Sequence, residues 1–462
     1  MLNLKSNSSG LQVKSKLQES KGDFALIFED ENLDFVLNST VELAENFYVF
    51  QPELVVNGID FYNLGWLNED IKAKFTVQSE FRGNPEEFDF RLSIPEFVST
   101  YNQTSYQLRG FDLDAQIGPK HTQLNTKSKF LNTQLKANKH PSDLVEASWK
   151  YIQKYITDFT PEEKEIDTPK IDLEWDMQLV NIPLLSEVYL ADLKEMDTLK
   201  LSLDFKEEKN EIRANVSLPH LIYKDIELNK LAVNVNANPT KADFSFGFDQ
   251  LGSGGFQIAK TLFSGQYEED FWKLTLEAFQ DEKPFFYVRS FLEKEEDVWV
   301  YSLDDDELIL NGQNWEAHPK NQVQFGNQRL AFSNFEIERK QQKLAINNDF
   351  DIEDEHFGLL FKNFKLGTLT SYLHPDALFA KGEINGDLIV VKPFEQIGFL
   401  ADLSIDDLYI KEKEIGRFQL HASADGSNTY ATEMELLGAQ IELFAQGKYF
   451  YKDEQPTLDV SA

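Results

Sequence analysis

Seven histidines are the residues of this chain best suited to acid–base or metal chemistry. They are His121, His140, His220, His318, His356, His374 and His421. No two of them form an HxxxH pair, and isolated histidines are more often surface or turn residues than ligands. No GxSxG motif is present, so a serine hydrolase would lack its nucleophile elbow. The segment Gly252-Ser253-Gly254-Gly255 lacks the Lys-Ser/Thr of a phosphate-binding loop, and we interpret it as a plain loop.

Two acidic clusters have the oxygen ligands that a hard cation such as Ca²⁺ prefers. They are Asp304-Asp305-Asp306-Glu307 and the set Asp349, Asp351, Glu353 and Asp354. The second cluster has Asp354 where an EF-hand loop requires glycine, so solvated turns are favoured for both, and we expect no metal and no cofactor. The carboxylate pair of a glycoside hydrolase stays open as an alternative, because its separation of about 5–10 Å is a three-dimensional property. With 79 acidic residues, however, a close pair is expected by chance, and we predict that the chain is not an enzyme.

Charge and composition exclude several classes of partner. The chain has 79 Asp and Glu against 45 Lys and Arg, a net charge of −34, so we expect no nucleic-acid partner. Anionic membrane surfaces are disfavoured for the same reason, and a bound lipid would have to be held by its acyl chains. A hydrophobic content of 41% excludes a disordered chain. The absence of cysteine excludes thiolate chemistry and is compatible with an oxidising compartment.

The length of the chain and the residues at its two ends indicate how the protein is organised into domains. A chain of 462 residues exceeds the size of about 250–300 residues at which a single core stops growing, so we expect several lobes or an elongated repeating body. No apolar run of about 18 residues and no signal-peptide core occurs. Because the first and last residues have the pattern of strand interiors, we interpret the chain as a piece of a longer protein.

Alternation of apolar and polar residues with a period of two dominates the sequence, as in Leu201, Leu203 and Phe205. Strands with one apolar face and one polar face are usually antiparallel and solvated on one side. Four dipeptides beside such runs predict hairpin turns. They are Asn57-Gly58, Asn311-Gly312, Asn385-Gly386 and Asp425-Gly426. The predicted fold class is all-β, an elongated, repetitive antiparallel sheet that is curled into a U-shaped hydrophobic groove, with one or two short helices.

Two segments interrupt the strand pattern. After Ser142, the residues Leu144, Trp149, Ile152 and Ile156 recur at helical spacing, and we predict a helix that caps or plugs the sheet. A shorter helix is predicted at Thr368–Ala380, with a break at Pro375. The predicted division is β-groove repeats at 1–138, the amphipathic helix and an acidic linker at 139–166, further repeats at 167–362, the short helix at 363–380 and a last repeat at 381–462 that continues beyond the sequence.

The apolar residues of these strands would form one continuous face. Such a face must be covered by a second sheet, by curling of the sheet on itself or by a ligand. An acyl chain could slide along an uncovered trough, because burial of each methylene contributes about 0.8 kcal/mol without directional bonds. The predicted lining consists of Leu201, Leu203, Phe205, Val216, Leu218, Leu231, Val233, Phe244, Phe246, Phe248, Phe399, Leu403, Ile405, Phe418 and Leu420. For each of them the alternative is the closed core of an ordinary sandwich.

Internal similarity and motif order point to one family. The segment from Ser217 aligns without a gap with the segment from Ser404, and Ser93 opens a weaker third copy. The last part of the chain then contains, in order, Asn363-Phe364-Lys365-Leu366-Gly367, Leu369-Thr370-Ser371-Tyr372-Leu373-His374-Pro375, Ala380-Lys381-Gly382-Glu383-Ile384-Asn385-Gly386-Asp387-Leu388, Leu403-Ser404-Ile405-Asp406-Asp407-Leu408 and Ile415-Gly416-Arg417-Phe418-Gln419-Leu420. This order resembles the repeats of the TamB family (translocation and assembly module) within the AsmA-like superfamily. The resemblance covers roughly residues 360–450.

The resemblance implies a β-groove that spans the periplasm and is anchored in the inner membrane, in a protein that carries lipid toward the outer membrane or assists assembly of outer-membrane proteins. The expected partners are phospholipid acyl chains and, through parts outside this sequence, an outer-membrane barrel assembly protein. The alternative is a structural or adhesive all-β envelope module with a closed core and no ligand. A third hypothesis is an enzyme that acts on an envelope polysaccharide through a carboxylate pair.

Overall fold

The structure, a computed structural model, describes residues 5–8, 10–44, 47–144, 170–254, 256–268, 271–295, 298–326, 329–374, 378–424, 429–438, 442–452 and 455–461. Antiparallel strands account for most of these residues, which confirms the predicted all-β class with its repetitive antiparallel sheet. The chain divides into two compact units, Met1–Pro239 and Thr240–Ala462.

The first unit is an antiparallel meander. Its described strands are β1 (Lys5–Ser8), β2 (Leu11–Gln18), β3 (Lys21–Glu29), β4 (Leu33–Ala44), β5 (Phe47–Asp60), β6 (Ile71–Gly83), β7 (Phe88–Tyr101), β8 (Thr104–Gly118), β9 (His121–Lys127), β10 (Leu131–Ala137), β11 (Asp172–Leu179), β12 (Leu193–Met196), β13 (Leu199–Lys206), β14 (Glu211–Tyr223) and β15 (Ile226–Ala237). Each strand from β1 to β10 pairs with the next, and the order continues from β11 to β13, β14 and β15. A 3-10 turn, Glu207–Lys209, joins β13 to β14.

The connection from β11 to β13 leaves this meander. It forms a π-helical turn at Leu184–Tyr189 and then the short strand β12, which pairs with the far end of β14. This turn was not predicted from the sequence. Its only start signal is Pro183, a residue favoured at the beginning of helices, and its six residues are too few to show an amphipathic period.

The second unit is also antiparallel, and its sheet forks. Its described strands are β16 (Ala242–Phe248), β17 (Gln250–Ser253), β18 (Phe256–Ile258), β19 (Thr261–Glu268), β20 (Phe271–Gln280), β21 (Lys283–Glu295), β22 (Val298–Leu310), β23 (Gln313–Ala317), β24 (Gln322–Gly326), β25 (Arg329–Ser333), β26 (Phe335–Arg339), β27 (Gln342–Asn347), β28 (His356–Lys365), β29 (Ala380–Val391), β30 (Gly398–Ile410), β31 (Lys413–Ala424), β32 (Thr429–Leu437), β33 (Glu442–Lys452) and β34 (Gln455–Ser461). Strands β16, β19, β20, β21 and β22 pair in that order. Strand β22 then pairs with β23 through one half and with β24 through the other, and β23 leads through β26 to β34.

The two predicted helices have different outcomes. Helix α1, Gly367–Leu373, joins β28 to β29 where the short helix was predicted, but it is shorter than the predicted Thr368–Ala380. Pro375 lies outside the described residues. Of the helix predicted within 139–166, residues 141–144 form a helical turn. Trp149, Ile152 and Ile156 lie outside the described residues.

The predicted hairpin turns are only partly correct. Asn311-Gly312 does form the turn between β22 and β23. Asn57-Gly58 instead lies inside β5, where the register with β6 shifts between Val56 and Ile59. Asn385-Gly386 lies inside β29, and a Cβ atom on Gly386 would stand 1.9 Å from the carbonyl oxygen of Asp402. That glycine permits close approach of two strands and not a turn. Asp425-Gly426 lies outside the described residues.

Candidate functional site

Cross-strand pairing in the first unit aligns apolar side chains into a long row. From β4 to β15 the directly opposite residues are Val41, Phe50, Phe81, Phe90, Ala115, Leu124, Leu135, Trp175, Leu203, Ala214 and Val235. Every member of this set, called here the long row, is apolar. Neighbouring strands lie about 4.8 Å apart, so the long row extends about 50 Å along the sheet.

The predicted lining residues of this unit share the face of the long row. Leu201 pairs with Val216 and Val216 with Val233, in a parallel row next to Leu203. Leu218 pairs with Leu231 on the same face, but Leu218 is buried, at 6% exposure. Phe205 also lies on it, but it is only 3% exposed and packs in a cluster with Leu144, Ile171 and Leu173. Phe205 therefore belongs to a covered part of the face, unlike the lining position predicted for it.

Three threonines interrupt the apolar rows, but their hydroxyl groups are satisfied within the protein. The hydroxyl of Thr122 donates to the carbonyl oxygen of Lys139 at 2.6 Å, and that of Thr126 donates to the carbonyl oxygen of Leu131 at 3.4 Å. The hydroxyl of Thr133 donates to the backbone of Asp176 at 2.9 Å and accepts the indole N–H of Trp175 at 2.8 Å. Because these polar atoms already have partners, the face offers few polar groups to a ligand.

The opposite face of the same strands is polar. Directly opposite residues from β7 to β15 there are Arg91, Asp114, Asn125, Gln134, Asp176, Ser202, Asn215 and Asn234. Arg91 Nε and Asp114 Oδ1 lie 3.4 Å apart, as expected for an exposed cross-strand ion pair. The sheet of the first unit is thus amphipathic from β7 to β15.

The described residues cover the apolar face only in part. The large side chains Phe81, Phe90 and Trp175 keep intermediate exposure, whereas a second packed layer would bury them almost completely. Leu201 and Val216 are also partly exposed and belong to none of the buried clusters. Elsewhere on the face, three described parts of the chain provide cover: the 184–189 turn, the residues Leu144 and Ile171, and the connection from β5 to β6 through Phe61 and Leu64.

The second unit, in contrast, contains a sealed core. Ala278, Trp315 and Phe364 are 2%, 4% and 1% exposed and belong to one cluster. The rings of Trp315 and Phe364 lie 5.5 Å apart, although β26 and β27 separate their strands in the pairing order. On a flat sheet their strands would stand about 14 Å apart, so the sheet of this unit is curled.

Helix α1 lies inside this curl. The ring of Tyr372 packs edge-on against Phe286 at 5.3 Å, and its hydroxyl lies 3.3 Å from that of Thr261. Phe286 belongs to β21 and Thr261 to β19, whereas α1 connects β28 to β29. The helix therefore joins the two sides of the curled sheet through side-chain contacts.

The predicted lining residues of the second unit fall into two groups. Leu403 and Ile405 pack against the sealed core, and Phe248 is buried. Phe244 and Phe399 are partly exposed, and Phe246 is 42% exposed. Phe418 and Leu420 are partly exposed on the face that continues toward β33. Exposure rises along that face, from 8% at Ile384 to 47% at Leu443, so the covering ends there.

The polar face of the second unit contains a recess with acidic walls. Asp387, Asp402, His421 and Glu433 are directly opposite one another on β29 to β32. His421 Nδ1 lies 3.2 Å from Asp402 Oδ1. Burial of Asp387, together with the neighbouring Asp402 charge, raises the pKa of the Asp387 carboxyl.

The acidic cluster at 304–307 is a bulge in β22. Val288 pairs with Leu308 but Ser290 pairs with Leu303, which leaves the intervening acidic residues outside the ladder. Asp304 is buried, its Oδ2 lies 3.0 Å from Arg289 Nε, and its Oδ1 accepts the N–H of Asp306. The carboxylates of Asp304, Asp305 and Asp306 are close together, but Arg289 already balances the buried one.

Comparison with protein-family models and with curated proteins finds no match for this chain. No helix within the described residues is both long enough and apolar enough to cross a membrane.

Proposed function

We propose that this chain binds phospholipid acyl chains along the apolar face of its sheet and acts as a segment of a lipid conduit in the periplasm, without catalysing a reaction. The observation that carries the proposal is the long row, an uninterrupted series of apolar side chains across the first unit whose large members are partly exposed. Contact with an outer-membrane barrel assembly protein, through parts outside this sequence, belongs to the same proposal, and so does support of outer-membrane protein assembly.

The length of the row fits a chain-like ligand. A bilayer core of about 30 Å contains two opposed layers of acyl chains, so one chain extends about 15 Å. The long row, at about 50 Å, has room for several chains end to end. This geometry favours a track over a pocket for one molecule.

The strength of the contact fits transport. Full burial of a methylene contributes about 0.8 kcal/mol, and contact from one side contributes about half of that. An acyl chain of about sixteen carbons would then gain about 6 kcal/mol, which the entropy loss of association largely offsets. A single chain would bind weakly and exchange quickly, as movement along a track requires.

The alternative function, a structural or adhesive envelope module, is favoured by a different observation. The second unit closes its apolar residues around Trp315 and Phe364, and helix α1 occupies the inside of the curl. If the covered arrangement extended to the first unit in solution, no lipid would reach the long row.

Site-specific photo-cross-linking distinguishes the two functions. A benzophenone side chain at Leu201, on the apolar face, is compared with one at Ser202, the adjacent residue on the polar face. In the presence of phosphatidylcholine vesicles, we expect lipid adducts at position 201 at least several-fold above those at position 202. Equal adducts at the two positions, or none at either, would contradict the conduit and favour the closed module.

A further inference from the structure

A short segment of the first unit lies on its apolar face. Residues 180–198, called here the covering segment, connect β11 to β13 and contain the 184–189 turn and β12. Leu184 and Val188 are each 6% exposed and belong to one cluster with Ile71 and Leu108. The covering segment therefore fills an apolar site with its own side chains.

The site under the covering segment belongs to the same face as the long row. Strand β6 alternates regularly, so Phe75 and Phe81 project to one side of the sheet. Phe97 pairs with Phe75, and Phe90 of the long row pairs with Phe81. The ring of Phe97 also lies 6.3 Å from that of Tyr189 in the turn. Phe97 is thus both beside the long row and in contact with the covering segment.

Polar contacts attach the covering segment at exposed positions. The hydroxyl of Tyr106 donates to Glu187 Oε2 at 2.6 Å, in an exposed hydrogen bond. Lys224 Nζ and Asp192 Oδ2 form an exposed ion pair at 3.3 Å. The backbone of β12 also pairs with that of β14, so opening of the covering segment must break this pairing. Exposed side-chain pairs contribute little to stability, so the burial of Leu184 and Val188 is the main force that holds the 184–189 turn on the face.

Two local features oppose the closed position. The π-helical form of the turn is rare, because its hydrogen bonds and packing are poorer than those of an α-helix. Asn181 Oδ1, at the start of the covering segment, is buried without a hydrogen-bond donor among the described residues. If the segment moved away, water would hydrogen-bond to that oxygen. This gain would offset part of the free energy lost by exposing Leu184 and Val188.

We propose that the covering segment is a displaceable lid, and that a phospholipid acyl chain takes the place of Leu184 and Val188 against Ile71, Leu108 and Phe97. This inference rests on the proposed function and adds a gate to it. In the absence of lipid the segment keeps water from the apolar site. In its presence, methylene groups replace two aliphatic side chains of similar chemistry, so the face stays covered in both states.

A reversible cross-link can lock the lid, because the chain has no cysteine of its own. Met196 in β12 and Leu221 in β14 are directly opposite, at a separation typical of cross-strand pairs that accept a disulfide. The variant M196C/L221C carries a benzophenone side chain in place of Phe97. It is illuminated in the presence of phosphatidylcholine vesicles, once with the disulfide formed and once with the disulfide reduced. We expect several-fold more lipid adduct at position 97 in the reduced protein. The control protein has the same two cysteines but carries the benzophenone in place of Leu201. The oxidised and the reduced control should form equal amounts of lipid adduct.

The outcomes separate the lid from the conduit. Equal labelling at position 97 in the two states, with labelling at position 201, would overturn the lid and leave the proposed function standing. No labelling at either position in either state would contradict both. A second variant, L184S/V188S, weakens the apolar contacts of the segment and should raise labelling at position 97 several-fold without cysteines. Unchanged labelling in that variant, while position 201 is labelled, would also overturn the lid.

Discussion

Leu201 in the first unit and Leu403 in the second come from the same sequence pattern, yet their surroundings differ. Leu201 is opposite Met177 and Val216 and belongs to none of the buried clusters that the described residues of its unit form. Leu403 is opposite Leu420 and also packs against the sealed core around Phe364. Alternation therefore determines which face a side chain occupies, whereas the bending of the sheet determines whether that face is covered.

The positions of register shifts account for the difference. Strands β9 to β15 pair without a shift in the main ladder, and Leu201 lies among them. In the second unit, shifts occur between β20 and β21, β21 and β22, and β28 through β31. The first unit also has shifts, from β4 to β7, and they lie beside its buried cluster of Val56, Ile59 and Ala73. A bulge bends its strand and increases the local twist, so a sheet with several bulges curls more tightly. The curl then brings distant strands such as β23 and β28 into contact.

The largest expected difference is between a substitution in the sealed core of the second unit and one at a partly exposed position of the first unit. Phe364→Ala should destabilise the second unit by about 3–5 kcal/mol, because it opens a cavity in a packed core. Leu201→Ala should destabilise the first unit by about 1 kcal/mol, since that side chain is already partly exposed. Amide hydrogen exchange, resolved by unit, measures the loss of opening free energy in each variant relative to the unmodified protein. Losses of similar size would mean that the apolar face of the first unit is covered as tightly as the core of the second.

A pair of glycines tests whether the second unit depends on the close approach of β29 and β30. Gly386 has a φ of 114°, and a Cβ atom there would stand 1.9 Å from the carbonyl oxygen of Asp402. Gly386→Ala should therefore destabilise the second unit by about 2–4 kcal/mol, because β29 must move away from β30. A Cβ atom on Gly58 would meet nothing within 4 Å, so Gly58→Ala is the matched control, with an expected change within about 1 kcal/mol. Equal thermal stabilities of the two variants would show that the close approach of β29 and β30 at Gly386 does not contribute to the stability of the second unit.

The sequence predicts the fold class and the faces because both depend on short-range alternation, as at Leu201, Leu203 and Phe205. Whether an apolar face is covered cannot be predicted in this way. It depends on contacts between residues far apart in the sequence, such as Trp315 and Phe364, and no local pattern indicates them. The wrong turn prediction at Asn57-Gly58 has the same cause. This dipeptide lies within a strand because β5 continues to pair with its neighbours on both sides of it. The 184–189 turn was missed because six residues give no period to detect.

The smallest expected effect is a pH dependence of local stability in the first unit that arises from His220. The second unit does not contain this histidine and should not show that dependence. His220 Nδ1 lies 2.6 Å from Asn229 Oδ1, and His220 Nε2 lies 3.3 Å from Glu195 Oε2 in β12. The hydrogen bond to Asn229, followed by the interactions with Glu195 and Glu227, raises the pKa of His220. A raised pKa in the folded state means that the protonated imidazolium stabilises the fold, in this case the attachment of β12 to β14.

The sign of the effect follows from that shift. Below the ordinary histidine pKa of about 6.5 the contribution is fully present, and it is lost as the pH rises through the higher pKa of the folded state. Hydrogen exchange of residues 184–196, corrected for the intrinsic pH dependence, should therefore show weaker protection at about pH 8 than at about pH 6, on either side of that range. His220→Gln keeps a polar group beside Asn229 but cannot be protonated, so it should make the corrected protection independent of pH in this range. If the pH dependence persisted in this variant, it would arise from other groups. The protonation of His220 would then not stabilise the pairing of β12 with β14.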